Sequence, residues 1–277
     1  RYEVLKQGFK DEDIFISTGV QYEKEVKSIV PELPERNIIL EPEMRDTGPA
    51  VSLAVNYVDT LYPGELISVQ WSDHLIKRPD IFINSLREAE KIANTDNKMT
   101  LIAVLARFPS PHRGYIQFGE LVNSVSEGLD LRKFVKFVEK PTKEVAESYI
   151  NDGHYGWNPG YWNLTAAQYN SKLQISRPEM YKVIKEIRDS NFDKEVMEKF
   201  RTLEKISADY AFAEYLEPQD AEVLLTDMGW SDVGEWIAFK EALEDASNGS
   251  LVSGHSFDMG SSDTLIYKTQ SDKLVAT

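Results

Sequence analysis

With 277 residues, 42% of them hydrophobic and 11% aromatic, the chain can bury a sizeable core and is neither fibrous nor disordered. Its 46 acidic residues against 31 basic ones give a net charge of -15, which argues against a general nucleic-acid or anionic-membrane surface. A phosphate-bearing ligand then needs a metal ion and a few local cations, while the absence of cysteine excludes disulfides, thiol catalysis and cysteine zinc sites.

No apolar run approaches the ~18 residues of a membrane span and no signal peptide opens the chain, so the expected compartment is the cytoplasm. Arg1 to Lys10 reads as the tail of a helix, followed by a short strand over Asp13 to Thr18 and an amphipathic helix from Tyr22 to Val30 that Pro31 ends. A second strand, Asn37 to Leu40, leads into Glu41-Pro42-Glu43-Met44-Arg45-Asp46-Thr47-Gly48-Pro49-Ala50, where Thr47 or Gly48 caps a helix running to about Leu61.

Gly64 to Gln70 is a buried strand that stops at Trp71-Ser72-Asp73-His74. Pro79 to Asn94 is helical and Met99 to Ala106 an apolar strand, a spacing that predicts βαβ units in an α/β fold with a mostly parallel sheet. Gly114 to Glu120 and Lys133 to Glu139 alternate instead, as antiparallel strands with one wet face do. A helix over Thr142 to Asp152 is closed by Gly153, and the aromatic stretch Tyr155 to Asn163 reads as irregular. Helices are expected near Ala166 to Leu173, Arg177 to Ser190, Asp193 to Glu204 and Asp209 to Tyr215, then a strand at Ala221 to Thr226 and a helix at Val233 to Leu243. The closing strand, Asp263 to Tyr267, is expected to find no partner within the chain.

Polar clusters sit at the strand ends, where open α/β sheets bind ligands. Asp73 either ligates Mg²⁺ beside phosphates or caps a turn. Glu139-Lys140-Pro141 either holds a sugar phosphate, through Lys140, and sugar hydroxyls, through Glu139, or is a surface ion pair. In Gly156 to Asn163, Asn158 offers donors and acceptors and Gly160 lets backbone approach a ligand, the alternative being an aromatic core turn. Asp232, between a strand and a helix, either joins Asp73 at a metal ion or is only an N-cap.

Taken in order, E-P-x-x-R-x-T-x-P-A, W-S-D-H, G-Y-I, F-V-E-K-P, W-N-P-G, S-A-D-Y and W-S-D-V-G-E-W resemble the bacterial mannose-1-phosphate guanylyltransferases along the whole chain. The resemblance implies a Rossmann-like sugar nucleotidyltransferase fold making GDP-mannose and pyrophosphate from GTP and mannose 1-phosphate with Mg²⁺, without nucleic acid or membrane, and is compatible with a homodimer. It implies catalytic roles for Asp73, Lys140 and Asp232, the two aspartates holding Mg²⁺. Glu139, Asn158, Gly160 and Gly114 fall at the sugar site, and Glu41, Arg45 and Thr47 at the base pocket. A carboxylate such as Glu41 suits guanine because it accepts adjacent N–H donors in parallel.

The sequence departs from the family pattern in several places. No G-x-G-T-R-x-x-P phosphate loop precedes Asp13, Asp46 and Gly48 replace the usual asparagine and alanine of R-N-T-A-P-A, Trp71 replaces a proline, Pro111-His112-Arg113 replaces T-G-Y before G-Y-I, and Ala208 stands for an isoleucine. The expected organisation is an N-terminally incomplete nucleotidyltransferase domain over residues 1–245 and a connection to a truncated β-rich domain over 246–277. Without the loop, the chain alone is expected to make no GDP-mannose. A non-catalytic homologue binding a sugar phosphate or a partner subunit is the alternative, and a glycosyltransferase of similar fold a weaker one.

Overall fold

The computed structural model describes residues 1–234 and four short strands beyond them. In chain order the elements are α1 (Tyr2–Leu5), β1 (Ile16–Gly19), α2 (Glu23–Ile29), β2 (Ile38–Glu41), α3 (Thr47–Leu61), β3 (Ile67–Val69), β4 (Leu75–Ile76), α4 (Pro79–Asp96) and β5 (Met99–Leu105). They continue with β6 (Tyr115–Ser126), β7 (Leu129–Val138), α5 (Lys143–Asp152), β8 (Tyr155–Trp157), β9 (Trp162–Leu164), α6 (Ala166–Ser176), α7 (Pro178–Asp189), α8 (Lys194–Met197) and α9 (Ala208–Ala211). Strands β10 (Ala221–Thr226), β11 (Trp230–Ser231), β12 (Leu251–Ser253), β13 (Ser256–Phe257), β14 (Leu265–Tyr267) and β15 (Val275–Ala276) complete the chain.

Local chemistry sets the helix ends. Asp46 caps α3, its carboxylate accepting the Thr47 N–H at 2.6 Å, one residue before the expected cap. Thr165 and Gln168 close a reciprocal capping box at the start of α6. Thr142 and Gly153 bound α5 as the sequence predicts. The helix expected from Asp193 is shorter: α8 gives way to a 3₁₀ turn at Glu198–Thr202.

The fold is of the α/β class, with a seven-stranded sheet built around β5. Six of the seven β5 residues are buried, as a strand covered on both faces requires. Leu101 and Ala103 join Leu53 and Val55 of α3, Val223 of β10 and Ile184 of α7 in the main core. Helix α4 packs against β5, β9 and β10. A smaller cluster of Ile14, Val30, Leu33 and Ile38 underlies the β1–β2 pair.

Contrary to the mostly parallel sheet expected, only the β5–β10 pairing of this sheet is parallel, whereas β6–β7, β6–β8, β7–β10, β5–β8, β5–β9 and β3–β9 are antiparallel. The reason is connection length. Strands β6 and β7 are joined by Glu127 and Gly128 alone, too short for the crossover a parallel pair demands, whereas β8 and β9 run in one direction as two pieces laid antiparallel along the same edge of β5. The closing strand also finds a partner: β14 pairs with β12, against expectation. The helix expected over 233–243 lies from residue 235 outside the described residues.

Two units divide the chain, one of Arg1–Ser72 with Arg78–Met228, the other of Asp73–Lys77 with Gly229–Thr277. In the second, β4 and β11 pair antiparallel. No helix among the described residues is long and apolar enough to cross a membrane.

In the first unit, Glu222 stands on β10 directly across from Lys133, only 2% exposed, and its Oε1 takes ion pairs from Lys133 at 2.9 Å and Lys98 at 3.2 Å. Burial pushes this carboxyl up, but the two lysines outweigh it and hold it below the usual range. Its stabilisation is therefore present at neutral pH and is lost as the pH falls through the depressed value. Replacing Lys98 and Lys133 together by Met leaves a buried charge alone, and a loss of roughly 3 kcal/mol is expected at pH 7. Urea melts at pH 7 and pH 4 check it, the gap between variant and wild type narrowing at the lower pH.

Candidate functional site

The end of β7 and the interruption between the collinear strands β8 and β9 build one corner of the larger unit. Lys140 Nζ pairs with Glu139 Oε1 at 3.1 Å, the carboxylate nearly buried and the ammonium more than half exposed. That bond raises the Lys140 pKa and keeps the ammonium charged. Lys140 has φ 40°, in the left-handed region, a backbone state costly for a residue with a side chain and found most often where function demands it. Beside it, the Gly114 carbonyl accepts the Asn158 N–H at 2.8 Å, and a Cβ at 114 would lie 2.5 Å from Glu139 Oε2. A side chain at 114 would therefore displace the Glu139 carboxylate from its present position.

Asn158 is fixed at both ends of its carboxamide. Oδ1 accepts the Gly160 N–H at 3.0 Å and Nδ2 donates to Asp209 Oδ1 at 3.0 Å. Gly160 itself sits at φ 73° with the Trp71 indole where a Cβ would go. Asp209, on α9, is the member that sequence reasoning passed over, although S-A-D-Y stands among the ordered motifs. Burial first, and then the negative charge of Glu139, push its carboxyl up to about 6, against the Asn158 hydrogen bond and the Lys140 charge that pull it down.

The structure therefore brings together Gly114, Glu139, Lys140, Asn158 and Gly160, and adds Asp209. An ammonium, two carboxylates, a carboxamide and bare backbone can bind a phosphate and hydroxyl groups. The other predicted substrate residues lie on β2 and the start of α3. Glu41 ends β2, buried, with its Oε1 accepting from Ser17 Oγ at 3.0 Å, and burial raises its pKa. Arg45 donates to Glu43 at 3.3 Å. Thr47 Oγ1 accepts the Ala208 N–H at 2.9 Å, and Gly48 N–H donates to the Ile206 carbonyl at 2.9 Å, tying this segment to the start of α9.

Asp73 and Asp232 belong to the smaller unit. The antiparallel register sets Ser231 opposite Leu75, so Asp232, one residue on, and Asp73, two residues back, are carried to the same end of the pair. Trp230 Nε1 donates to His74 Nδ1 at 3.1 Å. An indole N–H can only donate, so Nδ1 is the unprotonated nitrogen and the ring proton of a neutral His74 is on Nε2, 3.9 Å from Asp73 Oδ1. Asp73 is 81% exposed at the side chain, and Val233, next to Asp232, has φ 40°, an outlier for a β-branched residue. Among the described residues no group of three or more His, Cys, Asp or Glu is arranged to hold a metal by itself.

Asp209 yields a pH test. Its carboxyl is raised from 3.8 to about 6, so the folded state binds its proton more tightly than the unfolded state does. The stability it confers is full below pH 3.8 and is lost as the pH rises through about 6. Asp209→Asn imitates the neutral form and keeps an acceptor for Asn158. After allowance for partial exposure, it is expected to stabilise the chain by about 2 kcal/mol at pH 7.5, a few degrees in melting temperature, with no gain below pH 4. Calorimetry at the two pH values checks it.

Comparisons with known proteins identify the family and the fold. The nucleotidyl transferase family profile matches residues 5–249. A mannose-1-phosphate guanylyltransferase of Salmonella montevideo is 34% identical over 224 residues, covering 79% of this chain and 46% of that protein. One of Escherichia coli is 32% identical over 227 residues, covering 79% and 48%. The chain thus spans about half the length of these relatives. Among solved structures, a Thermus thermophilus protein described as a mannose-1-phosphate geranyltransferase superposes with a TM-score of 0.81 at 22% identity, covering 99% of this chain and 77% of that one, which shows the shared fold. The chain belongs to the nucleotidyl transferase family.

Proposed function

We propose that the protein carrying this chain transfers GMP from GTP to mannose 1-phosphate, giving GDP-mannose and pyrophosphate in the cytoplasm. The observation that carries the reading is the corner where the Lys140 ammonium, held at a strained backbone position, meets Glu139, Asn158 and the side-chain-free Gly114. The ammonium suits a sugar phosphate and the carboxylate and carboxamide suit sugar hydroxyls. The relatives named for mannose 1-phosphate and guanylyl transfer support the choice of substrates.

Glu41 is read as the acceptor for the paired N–H groups of guanine, with Arg45 and Thr47 in the same segment. A phosphate oxygen of the sugar phosphate forms a bond to the α-phosphorus of GTP as the bond from that phosphorus to the pyrophosphate oxygen breaks. No protein nucleophile takes part. Lys140 holds the attacking phosphate and offsets its charge, and catalysis is positioning and charge neutralisation.

Asp73 and Asp232 are assigned to Mg²⁺, two hard carboxylates being the usual protein share of a site completed by phosphate oxygens and water. The exposed Asp73 carboxylate, with His74 Nε2 3.9 Å away, and its sharing of one strand-pair end with Asp232 fit that role. Magnesium, when bound, neutralises triphosphate charge.

Assayed in the protein at its natural length, Asp73→Asn and Asp232→Asn are each expected to abolish pyrophosphate release with little change in melting temperature. Lys140→Ala is expected to raise the KM for mannose 1-phosphate roughly 10–100-fold and to leave that for GTP nearly unchanged, as loss of a charge-assisted contact does. Turnover of another nucleotide and sugar phosphate, with none of GTP and mannose 1-phosphate, overturns the reading. Binding of mannose 1-phosphate without turnover favours the non-catalytic alternative.

A further inference from the structure

We propose that Asp209 is a positioning residue of the sugar-phosphate site: its carboxylate holds the Asn158 carboxamide in one orientation beside Gly114 and Glu139, and thereby sets the affinity for the sugar phosphate. The inference rests on the reading of Glu139, Lys140 and Asn158 as that site. Its basis is a run of bonds across four separate segments. Thr47 Oγ1 and the Ile206 carbonyl fasten the chain on both sides of Ser207, the N-cap of α9, at 2.9 Å each. Two residues later Asp209 Oδ1 accepts from Asn158 Nδ2, and Asn158 passes the constraint on to Gly160 and Gly114.

Geometry makes the amide orientation unique. Reversed, Asn158 would point its NH₂ at the Gly160 N–H and its oxygen at the Asp209 carboxylate, two donors together and two acceptors together. Gly160 alone restrains one end of the carboxamide, and Asp209 restrains the other. Nδ2 carries a second N–H, so a fixed Nδ2 is a fixed donor. The arrangement is costly where it stands, since a half-buried Asp209 carboxylate sits within the field of Glu139. The bond from Ala208 further makes Thr47 part of the same scaffold, in addition to its assigned place in the base segment.

The test uses the 277-residue chain and two readouts. In the free protein, the side-chain amide signals of Asn158 are expected to be dispersed and slow to exchange in wild type and in Asp209→Asn, which keeps an acceptor, and to collapse towards free-amide values in Asp209→Ala. Calorimetric titration with mannose 1-phosphate is expected to show about 10-fold weaker binding for Asp209→Ala, near-wild-type binding for Asp209→Asn, and for Thr47→Val a smaller loss in the same direction; GTP binding is expected to be unchanged by the two Asp209 variants. Unchanged Asn158 signals in Asp209→Ala, or unchanged sugar-phosphate affinity with those signals altered, overturn the positioning role and leave the site reading intact. Failure of wild type to bind mannose 1-phosphate or any hexose 1-phosphate overturns both.

Discussion

Everything at the candidate site depends on how one edge of β5 is covered. Two short strands share that edge, β8 pairing at Val104 and Leu105 and β9 at Thr100 and Leu101. Between them the Ile102 N–H donates to the Tyr161 carbonyl at 3.0 Å, so the backbone of the central strand stays paired while residues 158–160 are lifted out of the ladder. Trp157 and Trp162, fully or almost fully buried at the two sides of this interruption, anchor it in the core. A short excursion gripped at both ends by buried indoles is a rigid one. That is what Asn158 and Gly160 need in order to present polar groups at a fixed position.

The same corner is where the fold gives up stability. Glu139, Asp209 and Lys140 set one nearly buried and one half-buried carboxylate beside one ammonium, and burial together with the charge imbalance raises the Asp209 pKa. The contrast with Glu222 is instructive. There one carboxylate meets two lysines, its pKa is lowered, and the cluster stabilises the sheet. The two clusters of one chain thus carry opposite charge imbalances, and the one with excess negative charge is the one proposed to bind a ligand.

Most of the element order was legible in the sequence because it rests on local chemistry. Helix α3 follows from Pro49 and the buried Val51, Leu53 and Val55, and α5 from Thr142 and Gly153. Strand direction was not legible, since it depends on which distant strand becomes the neighbour, and β5–β10 pairing is decided by residues more than a hundred positions apart. The Tyr155 to Asn163 stretch read as irregular because three-residue strands are too short to show alternation. Gly114, Glu139, Lys140 and Asn158 were found through motif order, and their meeting is a property of the fold. Asp209 escaped because its partner Asn158 lies 51 positions away and nothing near S-A-D-Y announces it. Gly48 in place of the usual alanine has a local reason visible only in three dimensions: a Cβ there would lie 2.7 Å from the Ile206 carbonyl to which its own N–H donates.

Backbone strain along the chain falls into two groups of positions. Six non-glycine residues among those described have positive φ: Asp46, Asn97, Lys140, Asn191, Phe192 and Val233. Asn97 and Asn191 follow helices α4 and α7, where asparagine tolerates the left-handed state, and Phe192 continues the second of these endings. The other three have no such excuse. Asp46, at φ 67° and ψ 177° in a region that is essentially glycine's, separates Arg45 from Thr47; Lys140 carries the corner's cation; Val233 follows Asp232. Each costs on the order of 1–3 kcal/mol, and each is held by its surroundings rather than by its own preference. All three stand next to or among the residues proposed for base, sugar phosphate and metal, so on that reading the strain lies where it would fix the geometry offered to a ligand.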